Sequence, residues 1–131
     1  MRYVYIKKNN SYIRDKFSDF NMVTVADWFT DDVGTGRHSW IEWLSDDSED
    51  RQETSSNATW LMKCDNDMIA LASIADIIEC GSKPLSESEI SYISKSNLIE
   101  LVKTWEAVIK NCPKQIVIIE ENGIYRMEEV Q

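Results

Sequence analysis

The chain has 131 residues, a net charge of −9 at pH 7 and an isoelectric point near 4.6. Its length suits one domain with a core of its own, and its 43% hydrophobic and 28% charged content is that of a globular protein rather than a disordered one. The acidic balance, with no basic stripe carrying aromatics, argues against nucleic acid as a direct partner and against anionic membranes.

In chain order, Arg2 to Lys7 alternates and predicts a strand, placed at a sheet edge where Lys7 and Lys8 would discourage pairing with other chains. The opening residues lack the apolar run of a signal peptide, and no stretch is long and apolar enough to span a bilayer. A cytoplasmic location is the expectation.

Between Phe17 and Glu53 ten carboxylates stand against two arginines, with Trp28, Trp40 and Trp43 among them. Val23 to Phe29 reads as a strand or a short helix. Ser39 to Leu44 reads as one or two helical turns with Ser39 as a possible cap. Ser45 to Asn57 is polar throughout and predicts an exposed acidic loop.

Thr59–Cys64 and Met68–Ile74 flank the turn-forming Asp65-Asn66-Asp67, a hairpin pattern. A further short strand is expected around Ile90–Ile93. Leu98, Leu101, Val102, Trp105, Val108 and Ile109 recur at helical spacing, which predicts an amphipathic helix over about 97–111. Ser94 or Ser96 would cap it and Cys112-Pro113 would stop it. Gln115 to Glu120 is β-branched and nearly continuous in hydrophobicity, Asn122-Gly123 is a strong hairpin signal, and Ile124 to Glu128 returns. These elements compose a single α+β domain over 1–131: an antiparallel sheet, a long helix and a C-terminal β-hairpin. Trp28, Trp60 and Trp105 are expected in its core.

Catalytic patterns are sparse. His38, the single histidine, lies in Gly34-Thr35-Gly36-Arg37-His38, where Asp31 or Asp32 could orient it as a general base. The three cysteines, Cys64, Cys80 and Cys112, are far apart and flanked by apolar residues, so free thiols in a reducing compartment are expected. Asp46-x-Ser48-x-Asp50 hints at a calcium loop, but Arg51 and Asn57 replace the glycine and the glutamate that such a loop needs. Neither a metal nor a cofactor is expected. Paired acids such as Asp31-Asp32 or Asp46-Asp47 would hold near-normal pKa values in a solvated loop, whereas a general acid requires burial.

A binding surface accounts for more of the pattern. Carboxylates focused on one face speed encounter with a cationic partner, and tryptophans dominate interface energetics. The candidate partner-binding set is Asp31, Asp32, Trp40, Trp43, Asp46, Asp47, Glu49 and Asp50. Trp40 and Trp43, three apart and able to share a helical face, fit core burial as well as exposure.

The run from Ser96 through Trp105, then Pro113-Lys114-Gln115-Ile116-Val117-Ile118-Ile119 and Glu121-Asn122-Gly123, resembles the immunity proteins with which bacteria neutralise their own toxins. The resemblance is one of layout, a helix with a central tryptophan running into a Pro-Lys and a hairpin, over the last third of the chain. It implies a non-enzymatic inhibitor of a cognate toxin, in many cases a basic nuclease whose active site or substrate-binding surface is occluded. Two readings from other classes stay open: a small hydrolase using Asp and His, and a non-catalytic adaptor subunit.

Overall fold

A computed structural model describes residues 1–34, 40–48, 51–55, 57–81, 83, 85–86 and 89–130. The α+β class holds, but the strands form two four-stranded antiparallel sheets rather than one. The first has the order β2 (Ser11–Phe17), β1 (Arg2–Asn9), β7 (Gln115–Glu121), β8 (Ile124–Glu129). The second is a meander of β3 (Glu53–Ser55), β4 (Thr59–Lys63), β5 (Met68–Ser73) and β6 (Ile90–Ser94).

Between them lie α1 (Phe20–Asp27) and α4 (Lys95–Ile109), each touching strands of both sheets. The core follows from this layering. Val4 and Ile6 of β1, Ile116 and Ile118 of β7, and Tyr125 and Met127 of β8 face inward from the first sheet; Leu61, Ile69, Leu71 and Ile93 do so from the second. Leu98, Leu101, Val102 and Trp105 form the buried stripe of α4, as its periodicity requires.

Local chemistry sets the boundaries. Asp19 caps α1 by accepting the Met22 N–H, and Ser94 caps α4 by accepting the Asn97 N–H at 3.2 Å. The two later hairpins turn where their Asn and Gly residues permit positive φ. These are Asn66 at 62° in a short 3-10 turn and Asn122-Gly123 at 53° and 84°.

Several expectations are corrected. β1 is an interior strand, not an edge: Lys7 pairs with both Ile13 and Gln115, and the edge is the unforeseen β2. The segment 45–57 is not loop throughout, since Glu53–Ser55 pairs with β4 as β3. The chain after β5 turns at once into α3 (Ile74–Cys80). Trp60 is only half-buried, because it sits on the outer face of the second sheet opposite Ala72. On that face Trp60 and Met62 stand opposite Ala72 and Ala70 of β5, both of which are buried.

Candidate functional site

α1 does not stop at Asp27. It loosens into a turn of π-helix, Trp28–Val33, closed by the Gly34 N–H donating to the Phe29 carbonyl at 2.8 Å. The wider turn lets Trp28 and Phe29 both point into the core while Asp31 stays outside. α2 (Trp40–Ser45) follows, with Trp40 and Trp43 only 6% and 4% exposed. Six aromatic rings then make edge or tilted contacts in succession, Tyr12 to Trp105 to Phe29 to Trp28 to Trp40 to Trp43, at centroid distances of 4.9–6.3 Å. The tryptophans of the acidic segment are therefore core. Of the two placements that the sequence left open for Trp40 and Trp43, the structure shows burial.

The acidic residues divide into two groups at opposite ends of β4. At the Ala58 end, Asp32 is buried, and its Oδ1 accepts the Ala58 N–H at 3.1 Å. Its Oδ2 has no hydrogen-bond partner among the described residues. Asp32 is thus a tie between the π turn and β4 rather than a surface charge. Asp31 beside it is exposed, and its backbone carbonyl accepts from Asn57 Nδ2 at 3.4 Å. Partial desolvation, then the charges of Asp27 and Asp32, raise the Asp31 carboxyl above the ordinary aspartate range.

At the Lys63 end, roughly 16 Å along the strand at about 3.3 Å per residue, a second group is organised by lysines. Lys63 lies 4.5 Å from the centre of the Trp43 ring and donates to the carbonyls of Trp43 and Asp46, closing the last turn of α2. Burial pushes its ammonium below the usual lysine range. Asp46 accepts the Ser48 N–H at 2.9 Å, which holds its carboxyl below the ordinary range, and lies 3.5 Å from Arg51. Asp47 and Asp67 meet at Lys95, 3.2 and 3.8 Å from its Nζ, although one follows α2 and the other ends the β4–β5 turn. Both remain 84% exposed. Asp67 carried no signal beyond a turn-forming residue, so its place in this group emerges only from the fold.

His38 and its loop, the possible cap Ser39, and the candidates Glu49 and Asp50 lie outside the described residues. Among the described residues no group of three or more His, Cys, Asp or Glu side chains is arranged to hold a metal ion. No helix among them is long and apolar enough to cross a membrane. Cys64, Cys80 and Cys112 are free thiols.

Comparison with protein-family models, with curated proteins and with solved structures finds no match to this chain. The site is accordingly read from its own geometry. It offers the outward carboxylates Asp31, Asp47 and Asp67 on a base of packed aromatic rings and lysine contacts.

Proposed function

We propose that this chain is an immunity protein: a non-enzymatic inhibitor that binds a cognate toxin, a basic nuclease, and occludes its substrate-binding surface. The observation that carries the reading is the convergence of Asp47 and Asp67 on Lys95. Two carboxylates from different segments share one ammonium and both stay open to solvent, while the Lys63 ammonium is turned to the carbonyls of Trp43 and Asp46. Carboxylates held in place meet a partner's guanidinium or ammonium in charge-assisted hydrogen bonds with little further ordering. They stand where a nuclease would otherwise hold substrate phosphates. Trp40 and Trp43 serve by stiffening the base, and Asp31, Asp46, Asp47 and Asp67 are the described contact residues.

The test is co-purification of the tagged chain from its native cells, washed at low and then high salt. Retention of one basic protein, whose nuclease activity emerges once the chain is stripped away, is the expected result. Retention of no basic protein would overturn the inhibitor reading. With the pair in hand, replacing Asp46, Asp47 and Asp67 together by Asn should slow association and flatten its salt dependence. An unchanged rate and salt slope would remove these carboxylates from the interface.

One observation favours a second reading, a small hydrolase. Asp31 stands at the surface beside the buried Asp32, whose Oδ2 has no hydrogen-bond partner among the described residues, a pair of carboxylates in unlike surroundings. A turnover lost in Asp31→Asn and kept in Asp47→Asn would replace the inhibitor reading with this one.

A further inference from the structure

Next to the Asp31 end of the candidate surface, α1, the end of β2, the start of α3 and the approach to β6 enclose an open groove of about 560 Å³. Four carboxylates line it against one guanidinium. Asp19 and Asp27 flank α1, Asp76 lies in the first turn of α3, and Glu89 precedes β6. Arg14 is engaged with Asp27 at 2.5 Å, and Arg2, outside the groove, lies 3.8 Å from Asp19. Asp19 is bound to the α1 N-terminus, and Glu89 accepts from the Ser86 N–H and hydroxyl at 3.1 and 2.8 Å. These ties fix the carboxylates in place, and Asp76 and Glu89 are left without an ion pair among the described residues.

The rim is aromatic. Phe17 and Phe20 stack in a tilted pair with centroids 5.6 Å apart, and Phe20 is 75% exposed. A large apolar ring standing that far into water beside a carboxylate-lined groove contributes nothing to the core and is disposed to meet a partner. The floor is firm, because Asn21 Nδ2 donates to the Ile90 carbonyl and the Ser91 hydroxyl donates to the Asn21 carbonyl, both at 2.9 Å.

We infer that this groove docks an arginine-bearing segment of a partner protein. The argument is charge complementarity joined to ring chemistry. A guanidinium lies flat on Phe17 or Phe20 while its N–H groups reach Asp76, a combination that the planar fork of arginine makes better than the compact ammonium of lysine. The inference extends the inhibitor reading by supplying a second contact surface for the same class of basic partner, and it rests on that reading only for the partner's identity.

The test uses the isotope-labelled full chain titrated with a soluble peptide of alternating Arg and Gly, with alternating Lys-Gly and Glu-Gly peptides for comparison. Amide shifts should concentrate over residues 17–27 and 73–76, and the Arg peptide should bind more tightly than the Lys peptide. Phe20→Ala and Asp76→Asn, both at exposed or half-exposed positions, should each weaken the Arg peptide by about two- to fivefold with circular dichroism unchanged. The double variant Asp47→Asn, Asp67→Asn should leave peptide affinity as it is. Shifts gathered around Asp47 and Asp67 instead, or an affinity indifferent to Phe20→Ala, would overturn the groove while leaving the inhibitor reading standing. Conversely, groove binding that persists when no nuclease co-purifies would retain the groove and remove the inhibitor.

Discussion

Asn97 holds Tyr125 by both of its backbone polar groups: Nδ2 donates to the Tyr125 carbonyl and Oδ1 accepts the Tyr125 N–H, each at 2.8 Å. The side chain thereby acts as a one-residue strand against β8, joining the first turn of α4 to the sheet. Asn97→Ala would leave a carbonyl and an N–H of a buried residue without partners, at a cost of about 1–3 kcal/mol. Urea unfolding should show a lower midpoint with unchanged slope. Asn97→Asp, which keeps the acceptor and loses the donor, should fall between the two.

The Trp40 and Trp43 rings are core, so their truncation should read out as stability. Trp40→Ala and Trp43→Ala should each cost about 3–5 kcal/mol, as large-to-small changes in packed aromatics do. Thermal unfolding measures this directly. Loss of partner binding at full stability would instead return these rings to the interface and favour the adaptor reading.

Glu120 gives the fold a pH dependence of known sign. Its Oε2 accepts from Arg2 Nε at 2.7 Å and its Oε1 from the Gly123 N–H at 2.9 Å, and the bond to Arg2 is the leading cause of a carboxyl held below the usual glutamate range. The unfolded chain therefore takes up this proton first as pH falls. Stability from the group is complete above about pH 4.3, the ordinary glutamate value, and is lost as pH drops through the lower native value. Glu120→Gln should reduce neutral-pH stability and flatten the acid limb of a stability-against-pH curve. An acid limb identical to that of the parent chain would contradict the assignment.

At the end of α4, Cys112 sits at φ 49° immediately before Pro113, in the left-handed position usually given to glycine. That conformation costs an L-residue roughly 1–2 kcal/mol, whereas glycine's extra backbone entropy costs roughly 0.5–1 kcal/mol. Cys112→Gly should therefore stabilise by about 0.5–1 kcal/mol, seen as a higher denaturant midpoint. The same change removes an exposed thiol.

The helix of the last third and its hairpin were legible because each carries its own period and punctuation: the Leu98–Trp105 stripe, Pro113, then Asn122-Gly123. β2 was not legible, because Tyr12 to Phe17 puts charge and ring on both faces and owes its strand form to β1 alongside. The Asn9-Asn10 turn, with Asn10 at φ 72°, was the signal available for it. The edge position given to β1 followed from Lys7 and Lys8, but interior strands tolerate lysine where one sheet face is open to water. Of the candidate contacts, the sequence could not separate Asp31 from Asp32, since their opposite fates depend on which way a π turn rolls. Nor could it separate tryptophans at a surface from a stack running to Trp105, which lies far along the chain.

The first sheet places Arg2 against Glu120, partners separated by 118 residues, while every pairing of the second sheet falls within 53–94. On a ribosome adding roughly 5–20 residues per second, β1 and β2 would emerge many seconds before β7 arrives to cover them. For that interval Val4 and Ile6 have only β2, α1 and whatever collapses nearby as shelter. Until β7 arrives the apolar strand stays uncovered, guarded by the lysines and arginines of the β1–β2 hairpin against pairing with its neighbours on the same message.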